Sequence, residues 1–383
     1  MRNVQRIVIL YPGETSSKRI NAPGNYSLSR LLIQLHASDA TPVHFLNWSG
    51  AHETYGNIEF VHFTAFGFLK LATRLAFKRS TLIISQTGAY TGCARMLRAI
   101  MPGSRILVRL GGVYYGAEYI KSKAFRSRRK KERRRLLAAD MIVSTADGTP
   151  VDLYMRELGI PQDRYRKLLN GFPEIPNATA EKRGNRILCI SRLSPEKGID
   201  YVLRSFAAAI PRLNEPYRLT IVGDGPERDA LRSLARELGV ATVVDFVGES
   251  YDIAAHLYSS KLLLSGLSNN TIMEAIATGT PVVAVELGEV KALYGQFRSV
   301  RIVDYPPGGC GRIVPAHMAE LVRRTADAVV EMLNHPHAHL SQDGLRSCPL
   351  YSWHQRLQTE IELYESLLAP REDLDSARST VAT

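Results

Sequence analysis

Residues 191–200, Ser-Arg-Leu-Ser-Pro-Glu-Lys-Gly-Ile-Asp, place two cations, Arg192 and Lys197, directly after the apolar run Ile187-Leu188-Cys189-Ile190. Two cations at the mouth of a strand do not build a core. An arginine offers phosphate oxygens a planar fork, and a lysine offers a point charge. Pro195 and Glu196 suit the first turn of a following helix. The N-terminus of that helix would add a partial positive charge of its own. The pattern predicts a seat for an anion. On spacing alone, a solvated loop carrying two surface cations fits equally well.

Three further stretches carry related signals. SGLSNNTIMEAIATGTPVVA (265–284) leads from an apolar run into a helix with Glu274 in its first turn. Glu274 could accept hydrogen bonds from the vicinal hydroxyls of a ribose. The amides of Ser268–Thr271, including Asn270 and Thr271, could meet a diphosphate. Thr271 and Glu274 also fit a capping box, in which Glu274 merely satisfies a backbone amide. IVGDGPER (221–228) sets Gly223 in a strand-to-helix turn, a weak signal alone. VDFVGES (244–250) ends a strand at Val247 and Gly248, where a glycine lets a flat base approach the backbone. In the first half, Gly24 and Asn25 stand just before the helical YSLSRLL, and Arg109 and Gly112 stand at the end of ILVRLGG. These four are candidates for a phosphate or acceptor loop, against the alternative of ordinary turns.

The elements that must hold these residues are legible as a rhythm. Short aliphatic runs recur at Ile7–Leu10, Pro42–Leu46, Leu82–Ser85, Ile106–Arg109 and Met141–Ser144. They recur again at Arg186–Ile190, Arg218–Val222, Thr242–Val247, Lys261–Leu264 and Pro281–Val285. Each is too short for a helix and continuously apolar, as a sheet covered on both faces requires. Between them, SLSRLLIQLHA, GIDYVLRSFAAAI and ERDALRSLARELG space apolar residues as one helix face. Strands alternating with helices indicate parallel sheets. The rhythm runs twice, around the irregular stretch 173–185, so two doubly wound α/β domains are expected with a ligand cleft at the carboxyl ends of their strands.

The chain has 383 residues, which suits two domains. No run approaches the ~20 apolar residues of a membrane span. Four separated cysteines, Cys93, Cys189, Cys310 and Cys348, without metal-ligand spacing, read as reduced thiols of a cytoplasmic protein. The tail 370–383 is polar and unpatterned and is expected to be disordered. The net charge of +12 is uneven: residues 1–180 carry +15 and the rest −3. Much of the excess lies in KSKAFRSRRKKERRR (121–135). That run suits anionic headgroups on the inner face of a membrane, or else a solvated helix. It lacks the interleaved aromatics of a nucleic-acid reader, so no nucleic-acid partner is expected.

Taken together and in order, ILCISRLSPEKGIDYVLRSF, LTIVGDGPERDALRSLARELGV, VDFVGES and IMEAIATGTPVVAV resemble the nucleotide-sugar half of the family-4 retaining glycosyltransferases. ADMIVSTADG, LLNGFPEI and YSWHQRLQTEIELYESLL resemble the family's close of the first domain and its final helix. The resemblance implies a GT-B fold. Its acceptor-side Rossmann-like domain spans residues 1–178 and its nucleotide-sugar domain residues 179–350. A helix over 351–368 crosses back. It implies transfer of a hexosyl-type sugar from a nucleoside diphosphate to an acceptor hydroxyl with retained configuration. The acceptor would be a sugar, a lipid-linked molecule or a polymer in glycan, polysaccharide or glycolipid synthesis. No metal or other cofactor is implied. Arg192 and Lys197 would grip the diphosphate and Glu274 the ribose. Two departures stand out. Gly266 occupies the place of the family's first glutamate, and Gly111-Gly112 the place of a histidine that many relatives carry. A non-catalytic sugar-nucleotide-binding protein and a nucleotide-sugar epimerase are the rival readings.

Overall fold

In the computed structural model the described residues are 5–11, 34, 41–47, 52–78, 81–88, 90–113, 115, 117–146, 148–169, 183–250, 252–267, 270–286, 288–304, 315–335 and 353–368. Gly24, Asn25, Ser268, Cys310, Cys348 and the tail 370–383 lie outside them.

The first half forms an eight-stranded sheet: β1 (Arg6–Leu10), β2 (Val43–Asn47), β3 (Glu53–Tyr55), β4 (Ile58–His62), β5 (Thr81–Gln86), β6 (Arg105–Leu110), β7 (Met141–Ala146) and β8 (Tyr165–Leu169). Its order is β3-β4-β2-β1-β5-β6-β7-β8, and every neighbour is parallel except β3 beside β4. The second sheet joins β9 (Gly184–Ile190), β10 (Arg218–Val222), β11 (Val244–Gly248), β12 (Ser260–Leu264), β13 (Val282–Val285) and β14 (Val300–Val303). It is wholly parallel, in the order β11-β10-β9-β12-β13-β14.

Both faces of each sheet are covered, which is why the strands read as continuous apolar runs. In β1, Val8 and Leu10 pack with Leu71, Leu97 and Val108, while Ile7 and Ile9 pack on the opposite face with Leu357 and Tyr364. Those last two belong to the closing helix Trp353–Leu368, which lies back on the first sheet. In the second sheet Cys189 and Ile221 face helix Ile199–Ala209, and Leu188 and Val222 face helix Asn270–Ala277. Cys93 and Cys189 are free thiols, and burial pushes Cys189 up to about 12.

Two elements depart from the sequence reading. Pro195–Lys197 form a single tight turn, and the helix begins only at Ile199, because Gly198 adopts φ +62° between them. Helix Asn270–Ala277 takes Thr271 in as its second residue, so Thr271 is no N-cap, and its hydroxyl is buried with no partner among the described residues.

Candidate functional site

The loops leaving β9, β10 and β11 are tied backbone to backbone. Ser191 N–H donates to the Val222 carbonyl at 3.0 Å, and Leu193 N–H to the Asp224 carbonyl at 2.9 Å. Glu227 N–H donates to the Leu193 carbonyl at 3.1 Å, and Gly223 N–H to the Gly248 carbonyl at 2.7 Å. The approach is closer than any side chain permits. A Cβ on Gly223 (φ +131°) would stand 2.0 Å from the Ser191 carbonyl oxygen, and one on Gly225 2.3 Å from that of Leu193. These glycines bring three strand ends into one wall. Asp224 fastens it, accepting from Gly225 N–H and from the Arg228 guanidinium, each at 2.7 Å. Sequence reading missed this pair, although its i, i+4 spacing was visible in GDGPER.

Arg192 and Lys197 stand on that wall. Arg192 Nη2 donates to Glu196 at 2.8 Å, and Glu196 also accepts from the Ser194 hydroxyl at 2.7 Å. The Arg192 side chain is 65% exposed, so this pair is worth under ~1 kcal/mol and an incoming anion can exchange for it. Lys197 is half-buried, and its carbonyl accepts from Leu267 N–H at 2.8 Å. That contact explains Gly266. A Cβ there would lie 2.5 Å from the Lys197 carbonyl oxygen, so a glutamate cannot take this position without moving the Lys197 loop.

Glu274 is half-buried on helix Asn270–Ala277, which follows β12. Burial pushes its carboxyl up to about 7, and among the described residues its carboxylate has no hydrogen-bond partner. A half-buried acid without a partner is set to receive hydroxyl donors. Asn270 begins the same helix, but its side chain lies outside the described set. Val247 is 48% exposed and lines a groove of about 380 Å³ on the outer edge of the sheet with Arg232, Arg236 and Phe246.

The two domains meet through loops at the carboxyl ends of their strands. After β13, Glu289 N–H donates to the Gly148 carbonyl at 2.9 Å, and its carboxylate accepts from Asp152 N–H at 3.1 Å and Lys167 Nζ at 3.0 Å. Gly288 lies against Pro150. Gly112 (φ +124°) turns out of β6 at the same end of the first sheet. Arg109 is a correction. It points into the interior with 1% exposure, and its Nε donates to Glu360 of the closing helix at 2.7 Å. Its parity with Leu107 along the strand directs it under the helix, so it is not part of a phosphate or acceptor loop.

Residues 184–333 match the family described as Glycosyl transferases group 1. That match takes in the second sheet and its helices, 150 of the 383 residues. It is 30% identical over 210 residues to the GDP-mannose-dependent alpha-(1-6)-phosphatidylinositol monomannoside mannosyltransferase of Mycobacterium tuberculosis, a match covering 50% of this chain and 49% of that protein. The match spans about half or less of the length of the curated relatives. Sucrose-phosphate synthase from Thermosynechococcus elongatus superimposes with a TM-score of 0.67 at 17% identity, covering 95% of this chain and 99% of that one. Anabaena HepE in complex with UDP gives 0.64 at 16% identity, covering 95% and 100%. The fold of the chain is GT-B.

Proposed function

We propose that the chain is a glycosyltransferase that moves a sugar from a nucleoside diphosphate to an acceptor hydroxyl with retention of configuration, in glycan or glycolipid synthesis. The observation that carries this reading is the wall of strand ends on which Arg192, Lys197, Gly223 and Gly248 stand together, with Glu274 on the helix after the next strand. The bond from the anomeric carbon to the diphosphate breaks and leaves negative charge on the diphosphate. Arg192 and Lys197 stabilise that charge, which is where such groups contribute most. The acceptor oxygen bonds to the anomeric carbon on the face the diphosphate leaves, and its proton leaves with the departing phosphate. With Gly266 in the first glutamate's place, the donor sugar is held by amides rather than by a carboxylate. Proton NMR of the product tests the stereochemistry: the donor's anomeric configuration is expected in the first-formed product, and its inversion would overturn the retaining assignment.

Glu274 supplies a pH signature. Because burial raises its pKa to about 7, the folded state holds a proton that the unfolded chain releases near the ordinary carboxylate range. The folded state therefore binds more protons between about 4.5 and 7, and this residue lowers stability as pH rises through that window. The charged form is the better acceptor for ribose hydroxyls, so nucleoside diphosphate affinity should rise between pH 6 and 8 more steeply in the wild type than in Glu274→Gln. Calorimetric titration of both proteins with UDP and GDP measures this. Parallel pH dependences, with only the melting temperature of the variant changed, would assign Glu274 a merely structural role.

The acceptor side is proposed to meet an anionic lipid surface. Helix Lys123–Leu137 is anchored by buried Phe125 and Leu136, while Arg126, Arg128, Arg129, Lys130, Lys131, Arg133 and Arg134 are exposed. Helices Thr91–Ile100 and Ala65–Leu75 continue the same face, with Met96 62%, Leu69 61% and Phe66 77% exposed. Among the described residues no helix is long and apolar enough to cross a membrane. Sedimentation with anionic vesicles should show binding that falls as salt rises from 0.1 to 1 M, where the screening length shrinks from ~10 to ~3 Å. Neutralising Arg128, Arg129, Lys130 and Lys131 should abolish most of it. Equal binding to neutral vesicles, or none, would make the helix a solvated face.

A further inference from the structure

Beneath the closing helix lies a charged cluster with an odd sum. Glu360 is fully buried and accepts from Arg109 Nε at 2.7 Å, from Arg356 Nη1 at 2.5 Å and from the Tyr364 hydroxyl. Two guanidiniums share one carboxylate, which among the described residues leaves a net positive charge in the interior. Arg356 is 7% exposed, and its Nε and Nη2 have no hydrogen-bond partner among the described residues. A buried charge in excess of its shared counter-charge, with two idle donors, is expensive, and a site for an incoming anion would offset that cost.

The topology locates it. Arg105 Nε donates to the Leu367 carbonyl, and Arg109 pairs with Glu360, so the helix runs antiparallel to β6. Arg356 lies one turn before Glu360, about 6 Å further along the helix. That carries it past Leu110, where β6 ends, to the level of Gly111 and Gly112. A Cβ on Gly111 would meet nothing within 4 Å, so the space beside that turn is open. This is the carboxyl end of the first sheet, where open α/β sheets receive ligands.

We propose that Arg356 is the anion-binding residue of the acceptor side and takes one phosphate or carboxylate group of the acceptor in a two-donor grip. Arg109 and Tyr364 hold Glu360, and Glu360 holds Arg356 through Nη1, which leaves Nε and Nη2 for the anion. The acceptor role rests on the glycosyltransferase reading; the anion site itself does not.

The test follows thermal melting of the full chain while inorganic phosphate, glucose 6-phosphate or glucuronate is titrated. It uses the wild type, Arg356→Met, Arg356→Lys and the double variant Arg192→Ala/Lys197→Ala, which removes the donor-side cations. We expect glucose 6-phosphate or glucuronate to stabilise the wild type and the double variant alike, about tenfold more tightly than inorganic phosphate. Arg356→Met should abolish the effect and, without anion, melt no lower than the wild type, since it removes the excess buried charge and leaves Glu360 paired with Arg109. Arg356→Lys keeps the charge and loses the fork, so its affinity should fall about tenfold. The proposal is overturned if stabilisation vanishes in the double variant and persists in Arg356→Met. It is also overturned if Arg356→Lys responds like the wild type or if none of the three anions stabilises. Inorganic phosphate binding as tightly as the sugar anions would make the occupant a free ion and overturn the acceptor role. Anion binding at Arg356 without sugar transfer would leave this site standing while the proposed function fails.

Discussion

Arg192→Ala and Lys197→Ala should each lower turnover about 10²–10³-fold while leaving the fold intact, because preorganised donors aimed at developing charge contribute on that scale. The side chain of Arg192 is 65% exposed, and its partner Glu196 lies in the same loop, so the folded state loses under ~1 kcal/mol with it. Melting should barely move, and steady-state rates should carry the whole effect. The fall should appear in kcat as well as in kcat/KM, since the charge these cations stabilise grows as the sugar departs. Wild-type kcat in either variant would remove the diphosphate from this loop.

The second large effect is on stability, far from the strand ends of the second domain. Glu360→Gln should lower the melting temperature by about 6–20 °C. Removing the one carboxylate leaves Arg109 and Arg356 buried without a counter-charge, a loss of ~3–5 kcal/mol, and a domain of this size shifts ~2–4 °C per kcal/mol. Burial alone would raise the Glu360 carboxyl, but the two guanidiniums outweigh it and hold the group at about 2. A carboxylate with a depressed folded-state pKa adds stability above the ordinary carboxylate range, and that stability is lost as pH falls from about 4.5 toward 2. The wild type should therefore lose stability over that acid window and Glu360→Gln should lose less. Identical acid unfolding of the two proteins would show that the cluster is not what ties the closing helix to the sheet.

The central strands were legible because burial on both faces writes continuous apolar runs, as in β5, where all six residues are buried. The missed strands are β3, β4, β8 and β14. Three of these are sheet edges, and β4 lies next to one. In β8 Arg166 and Lys167 interrupt the apolar residues of YRKLL, and in β4 Glu59 and His62 interrupt those of IEFVH, so neither matches the run of a buried strand. In the candidate site, the cations and glycines of the second domain were visible as motifs at strand ends. The role of Gly266 was not, because its constraint is the Lys197 carbonyl, 69 residues earlier and 2.5 Å from where a Cβ would stand. Arg109 misled for a similar reason. Its position after an apolar run suggested an anion, whereas its anion is Glu360, 251 residues away.

The central claim is transfer from a nucleotide sugar by the wall that bears Arg192 and Lys197. The direct measurement incubates the full chain with UDP- and GDP-linked sugars and quantifies released nucleoside diphosphate, with Arg192→Ala/Lys197→Ala run in parallel. Release from at least one donor by the wild type, lost in the double variant, is the predicted result. Tight nucleotide binding with every donor left intact, or release that continues unchanged in the double variant, would contradict it.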